Sequence, residues 1–329
     1  MPLFGALVFL DEGCASVFSY ACNLTLLYCI VKNWKPRLRS LNVILVQNVA
    51  LDLILGLFPI TSGMWMAFVN GRVYVMQTGL VRFVNYNIAC LVYCAYCGVL
   101  CLCVLAFPMQ FFFRYKTLCK KDDVSKYLHA ALWTVLMILA GTIFTGFYLA
   151  YSFHANLTEF DLPASKVIGE YVTFDENTAF VVTESKSFWF PATFGFILIT
   201  FIISCFIVLY YANKISKFIY ENAAMTENFK HLYLMLHKTL MLQAALFFVA
   251  GVIPVITMSV YSVLQVQNAP CIFAIASSAF AWVSVINPCV SIYLIRPYRR
   301  FLRSKPVSAS MLTTKTVTTA MTGASSCIQ

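Results

Sequence analysis

The sequence predicts an all-α protein, a bundle of seven membrane-spanning helices with its N-terminus outside and its C-terminus in the cytoplasm. Three observations carry that prediction. The chain is 61% hydrophobic and only 11% charged over 329 residues, whereas a soluble domain is about 45–50% apolar and about 25% charged. Seven apolar stretches each reach the roughly 20 residues that a spanning helix needs. The lysines and arginines fall almost wholly into the segments that one side of the membrane would hold. The net charge of +10 thus reflects membrane topology. A basic groove for nucleic acid would need those cations on one surface.

The spans are placed at 13–31, 41–69, 83–113, 128–153, 188–213, 239–264 and 271–295, with Asp52 the one charge inside them. The third stretch outruns the bilayer core at about 1.5 Å per residue, so it tilts or protrudes into the cytoplasm. The start of the chain lacks a basic n-region and a clear cleavage site, so the first span is expected to direct its own insertion. With the N-terminus outside, nineteen of the 23 basic residues lie in the cytoplasmic segments, leaving Arg72, Arg82, Lys166 and Lys186 outside. The acids lean the other way: Asp11, Glu12, Glu184 and the acids of loop 154–187 all face outward. The sequon Asn156-Leu157-Thr158 lies in that loop, which makes Asn156 a glycosylation candidate. The sequon at Asn23 is inside the first span and is expected to stay unmodified.

After the last span, 296–303 alternates basic with aromatic and aliphatic residues, which suits a short amphipathic helix on the anionic inner leaflet. Residues 1–304 form one membrane domain. The tail, 305–329, is rich in Ser and Thr, contains no acid and is expected to be disordered. It is either a plain flexible end or a phosphorylated regulatory one.

Asp52 needs polar partners, because a carboxylate at that depth costs about 2.5–3.5 kcal/mol on insertion scales. Asn23 and Asn287 lie at similar depth from the cytoplasmic side, so a cluster joining helices 1, 2 and 7 is expected, with room for water or a sodium ion at Asp52. Pro59, Pro108, Pro254 and Pro288 fall within spans and allow kinks. The thirteen cysteines lie mostly inside apolar runs as packing residues, with no paired CxxC motifs, so neither a metal nor another cofactor is implied. No His/Asp cluster or activated nucleophile lies in the spans, which argues against an enzyme. One intramembrane charge and no internal repeat argue against a transporter or channel.

Several motifs then resemble one superfamily. Asn23 in Asn23-Leu24-Thr25, Asp52 in Leu51-Asp52-Leu53, Arg114-Tyr115 ending helix 3, and Asn287-Pro288 followed by Tyr293 look like the signature positions of G-protein-coupled receptors. The departures are informative. Phe113 replaces the usual acid before Arg114, no Trp stands just before Pro254, and loop 154–187 has no Cys to join helix 3. Those departures, the run Phe107-Pro108-Met109-Gln110-Phe111-Phe112-Phe113-Arg114-Tyr115, Gln243 ahead of Pro254, and Asn287-Pro288 through Arg296-Pro297-Tyr298 resemble nematode serpentine chemoreceptors of the Str superfamily, near class d.

The resemblance implies a receptor for an odorant or pheromone-like small molecule in the plasma membrane of a sensory neuron's cilium. It implies a heterotrimeric G protein as partner, and arrestin and a receptor kinase acting on the tail. Arg114, Tyr115, Pro254, Pro288 and Tyr293 would then serve activation and coupling. Asn85, Asn87, Trp189, Tyr261 and Trp282 are pocket candidates by depth in the outer half of the bundle. No acid sits at the outer end of helix 3, which disfavours an amine held there. No Lys lies in helix 7, so a retinal Schiff base has no anchor. A ligand-gated channel or transporter of the sensory membrane is the alternative function.

Overall fold

The computed structural model describes residues 2–34, 39–69, 71–120, 122, 125–152, 179–222, 227–264, 270–295 and 298–299. Seven long helices form the bundle: α1 (Pro2–Lys32), α2 (Arg39–Ser62), α3 (Tyr86–Cys119), α4 (Lys126–Ser152), α5 (Trp189–Glu221), α6 (Glu227–Leu264) and α7 (Pro270–Leu294). Each contains a segment long and apolar enough to cross a membrane. Such helices satisfy their backbone groups internally, which the bilayer demands. Helix α3 is the central post, with Ala89, Cys94, Phe107 and Phe111 among its wholly buried residues. Asn156, the tail 305–329 and most of 296–303 lie outside the described residues. Of the segment after α7, Tyr298 and Arg299 are described, and both amides donate to Ile295 O.

The bundle is not purely helical. The apolar run 41–69 is divided: α2 ends at Ser62, and Met64–Val69 forms strand β1. Strand β1 pairs antiparallel with β2 (Arg72–Gln77), which pairs antiparallel with β3 (Ala179–Glu184), giving the order β1-β2-β3. Hydropathy alone could not separate a buried strand from the end of a span, because both read as continuous apolar sequence. The available signal was Asn70-Gly71 between two runs rich in aromatic and branched residues, the strongest short hairpin pattern. Gly71 has φ 77°, as such a turn requires. Gly63 turns the chain out of α2 with φ 52°.

The sheet closes one end of the bundle. All six residues of β1 are buried, and Phe68 stacks on Phe273 of α7 with ring centroids 6.1 Å apart. Gln77 Nε2 donates to Ala89 O at 2.9 Å, tying β2 to α3. Thr183 Oγ1 donates to Ala150 O at 2.7 Å, tying β3 to α4. A short 3-10 helix, Leu80–Phe83, leads from β2 towards α3.

Helix α1 also begins earlier than the sequence suggests. Asp11 and Glu12, expected in an outer segment, lie within it, and Glu12 is only 2% exposed. The described residues thus hold a second buried acid besides Asp52.

Candidate functional site

Away from the sheet, a seam of buried polar side chains joins the helices. Its pieces follow from a rule of apolar solvents: a polar group finds a partner or costs free energy. Pro288 has no N–H, so the carbonyl of Ser284, four residues earlier, loses its helical donor. Asn23 Nδ2 supplies one from α1 at 3.1 Å. Asn23 also donates to Ser19 O at 2.9 Å within its own helix. The proline and the asparagine together fasten α1 to α7.

One residue before the proline, Asn287 Nδ2 donates to Asp52 Oδ1 at 3.1 Å and binds α7 to α2. Gln243 of α6 reaches the same turn, donating through Nε2 to Asn287 O and to Ser291 Oγ, both at 2.9 Å. Asn48 and Gln110 exchange two amide hydrogen bonds, 3.1 and 2.7 Å, and bind α2 to α3. Asp52 and Asn287 are therefore brought together, while Asn23 hydrogen-bonds beside them rather than to Asp52. Asp52 Oδ2, Asn23 Oδ1 and Asn287 Oδ1 are buried without a hydrogen-bond partner among the described residues.

Arg114 ends the seam. It is 5% exposed, and no acid stands beside it in sequence. Its guanidinium crosses to α6 instead, donating from Nη1 to Leu236 O at 2.8 Å and from Nη2 to Tyr233 O at 3.2 Å. The planar fork suits two carbonyls on one helix turn. Phe113, where the acid is missing, stacks on His129 of α4 with centroids 4.9 Å apart. His129 in turn contacts Gln47 of α2, Nε2 to Nε2, at 2.6 Å. Ser216 Oγ and His237 Nε2, 2.8 Å apart, link α5 to α6. A cavity of about 30 Å³ lies among Asn48, Gln110, Arg114, Thr239 and Gln243, room for one or two waters.

The other activation candidates fall around this seam. Tyr115 is half-buried against Tyr211 of α5, 5.3 Å between centroids. Tyr293 is 69% exposed on the outer face of α7 and does not join the seam. Pro254 and Pro288 lie inside α6 and α7.

A second cavity, of about 40 Å³, lies between the seam and the sheet. Met64 and Met66 of β1, Tyr96 of α3, Phe147 of α4, Phe194 of α5 and Phe280 of α7 are among its walls. None of the five residues chosen by depth lines it, because depth along a helix does not say which way a side chain points. Asn85 is the N-cap of α3, accepting from Ile88 N at 3.1 Å, and Asn87 is exposed. Trp189 borders an outward-facing groove between α4 and α5. Tyr261 packs edge-on against Phe273 at 6.0 Å, and Trp282 Nε1 donates to Asp11 Oδ1 at 3.1 Å. Sequence reasoning missed the aromatic and methionine lining, since those residues look like ordinary core.

Among the described residues, no group of three or more His, Cys, Asp or Glu side chains could hold a metal, and the described cysteines are free thiols. The family model described as serpentine type 7TM GPCR chemoreceptor Srd matches residues 13–304. No curated protein matches the chain closely enough to be compared with it.

Proposed function

Because the chain belongs to the Srd family of serpentine seven-transmembrane chemoreceptors, we propose that it senses an odorant or pheromone-like small molecule and passes the signal to a heterotrimeric G protein. The observation that carries this reading is the clasp of Arg114 on the Leu236 and Tyr233 carbonyls. It holds α3 and α6 together at the end of the bundle away from the sheet. In this reading that end is cytoplasmic, consistent with the basic residues between the spans. A ligand that binds better when α6 has swung away shifts the population towards the open form, and can shift it only by its differential affinity. Opening frees the Arg114 guanidinium and exposes the faces of α3, α5 and α6 to the G protein.

The remaining parts take their places accordingly. The sheet and loop 154–187 face outside, with Asn156 open to glycosylation. The oxygen atoms left over at Asp52, Asn23 and Asn287 suit water or a sodium ion in the closed form. Tyr115, Pro254 and Pro288 shape the moving surfaces, and Tyr293 reports on the rotation of α7. The Ser/Thr-rich tail is a substrate for a receptor kinase and then a contact for arrestin. The protein resides in the plasma membrane of a sensory cilium.

The test pairs N-terminal tag accessibility on intact cells with odorant-evoked calcium or second-messenger signals, with and without G-protein blockade. The expected result is an accessible tag and a response that blockade removes. An inaccessible tag, or a fast current that survives blockade, overturns the reading in favour of a ligand-gated channel.

A further inference from the structure

The cavity between the seam and the sheet has no role in the mechanism above, yet it lies where the elements of the bundle converge. Side chains from α3, α4, α5, α6, α7 and β1 enclose it, about 40 Å³ in all. No charged side chain lines it, and no polar atom of the wall faces its space. The two tyrosines of the wall keep to that rule. Tyr93 has its hydroxyl 3.4 Å from that of Tyr151, and Tyr96 lays its ring against Phe58 with centroids 5.3 Å apart. Neither hydroxyl stands among the buried oxygens that lack a partner.

Such a wall dictates what can occupy the space. A hydroxyl, amine or carboxyl group would give up its hydrogen bonds to water and find none in exchange. Water is excluded for the same reason, since apolar cavities stay dry. What the wall offers is dispersion and ring contacts. Atoms lining a void lack partners on one side, and an apolar ligand restores those contacts. Phe147 meets Tyr93 edge-on at 5.9 Å and Phe194 edge-on at 5.5 Å between centroids. Those are spacings of favourable aromatic pairs, and one more ring extends the array. Met64, Met66 and Met258 add polarizable sulfur to the wall, which again favours an aromatic neighbour.

We propose that this cavity is the ligand site and that it selects neutral, hydrocarbon-like compounds built on a single aromatic ring, without a hydroxyl, amine or carboxyl group. The inference rests on the receptor reading and names its ligand class. An apolar cavity of about 150 Å³ holds one benzene, so a ring outgrows the resting space and must widen it. The methionines, unbranched and flexible, yield first. Val255 and Met258 are the α6 part of the wall and follow closely on Pro254. A ligand that widens the cavity therefore presses on α6 beside its proline.

The test reads binding, so that it does not depend on coupling. Full-length receptor in lipid nanodiscs is heated with toluene or ethylbenzene, and with phenol or benzylammonium chloride, which copy the shapes of the first two. Concentrations are matched in the bilayer. Wild type is expected to show a saturable rise in melting temperature with at least one of the two hydrocarbons. The polar compound of the same shape should bind at least tenfold more weakly. Cys101→Leu, which fills part of the cavity, should weaken the hydrocarbon at least tenfold. Val249→Ala on the outward-facing side of α6, where Val249 is 56% exposed, should leave it within threefold. Should Cys101→Leu not fold, Val255→Phe fills the space from α6 and should weaken binding by the same factor. The proposal is overturned if neither hydrocarbon shifts wild type saturably, if the polar compound binds as tightly as its counterpart, or if both filled proteins bind as wild type does. A blockable response to a polar odorant, alongside that failure, would leave the receptor reading standing and remove only this ligand class.

Discussion

Replacing Gln243 with Leu removes the two hydrogen bonds by which α6 grips α7 while keeping nearly the same volume. Both bonds come from one amide, to Asn287 O and Ser291 Oγ, at 2.9 Å each, and Gln243 is 2% exposed. Hydrogen bonds between membrane helices average about 0.6 kcal/mol, so two together give about 1.2 kcal/mol. With neutral bonds worth about 1 kcal/mol each, the loss is about 2 kcal/mol. If both bonds exist only while α6 is packed against α7, that difference multiplies the open-to-closed ratio by about 8 to 30. A receptor about 1% open at rest would become about 7–23% open without ligand. The assay is basal second-messenger output at matched surface density, with and without G-protein blockade. Val249→Ala on the outward-facing side of the same helix, where Val249 is 56% exposed, serves as control. Basal output should rise about 7- to 23-fold for Gln243→Leu and stay flat for the control. Unchanged basal output from a well-expressed, ligand-responsive Gln243→Leu receptor would refute the idea that this contact distinguishes the two forms.

Arg114→Ala should abolish ligand-evoked signalling while leaving surface expression intact, and full signalling by that variant would remove Arg114 from the mechanism. Asp52→Asn keeps an oxygen to accept from Asn287 but removes the charge, so insertion should be normal and the ligand dose–response curve should shift at least threefold; a curve superimposable on wild type would reduce Asp52 to packing. Gly63→Ala should lower stability by about 2–4 kcal/mol, combining a left-handed backbone cost with overpacking, because its Cβ would stand 2.6 Å from Gly79 N at φ 52°. Gly71→Asn, with φ 77° but nothing within 4 Å of the added Cβ, should be nearly neutral, and thermal melts of the two purified variants make the comparison.

The parts legible in the sequence were those that composition or chemistry forces. Lipid demands long apolar helices, and all seven were visible for that reason. Asp52 was visible because a charge in such a run stands out, and its contact with Asn287 followed from equal depth. What escaped had no contrast with its surroundings. Strand β1 is as apolar as the helix before it. Glu12 was read as an outer residue because hydropathy starts a span after the last acid, whereas the backbone simply continues its helix through Asp11 and Glu12. The cavity wall was hidden for a related reason: Met, Phe and Tyr facing inward look the same in sequence as Met, Phe and Tyr facing lipid. The clasp of Arg114 on α6 was the hardest to foresee, since backbone carbonyls carry no sequence signature.

The two ends of the bundle are held by different physics, and that difference decides where it can move. At the sheet end, ladders pair six residues of β2 with β1 and six with β3, and Gln77 and Thr183 anchor them to α3 and α4. Such a ladder opens only cooperatively, so strands β1, β2 and β3 hold that end of the bundle as one unit. At the other end the polar links between helices, among the described residues, are one or two side-chain hydrogen bonds per linked pair, beside apolar packing such as that of Leu26, Ile30 and Val49, and each such bond can be lost singly. Pro254 lies between the regimes, beside Val255 and Met258 of the cavity wall. At about 1.5 Å per residue, the 21 positions from Pro254 back to Tyr233 span roughly 32 Å, so a change of about 10° at the proline moves Tyr233 by roughly 5–6 Å. The bond from Arg114 to Tyr233 O is 3.2 Å long and cannot survive such a displacement. On the proposed receptor reading, an expansion of the cavity against the Val255 side of α6 that bent the helix by about 10° would release the clasp at the far end.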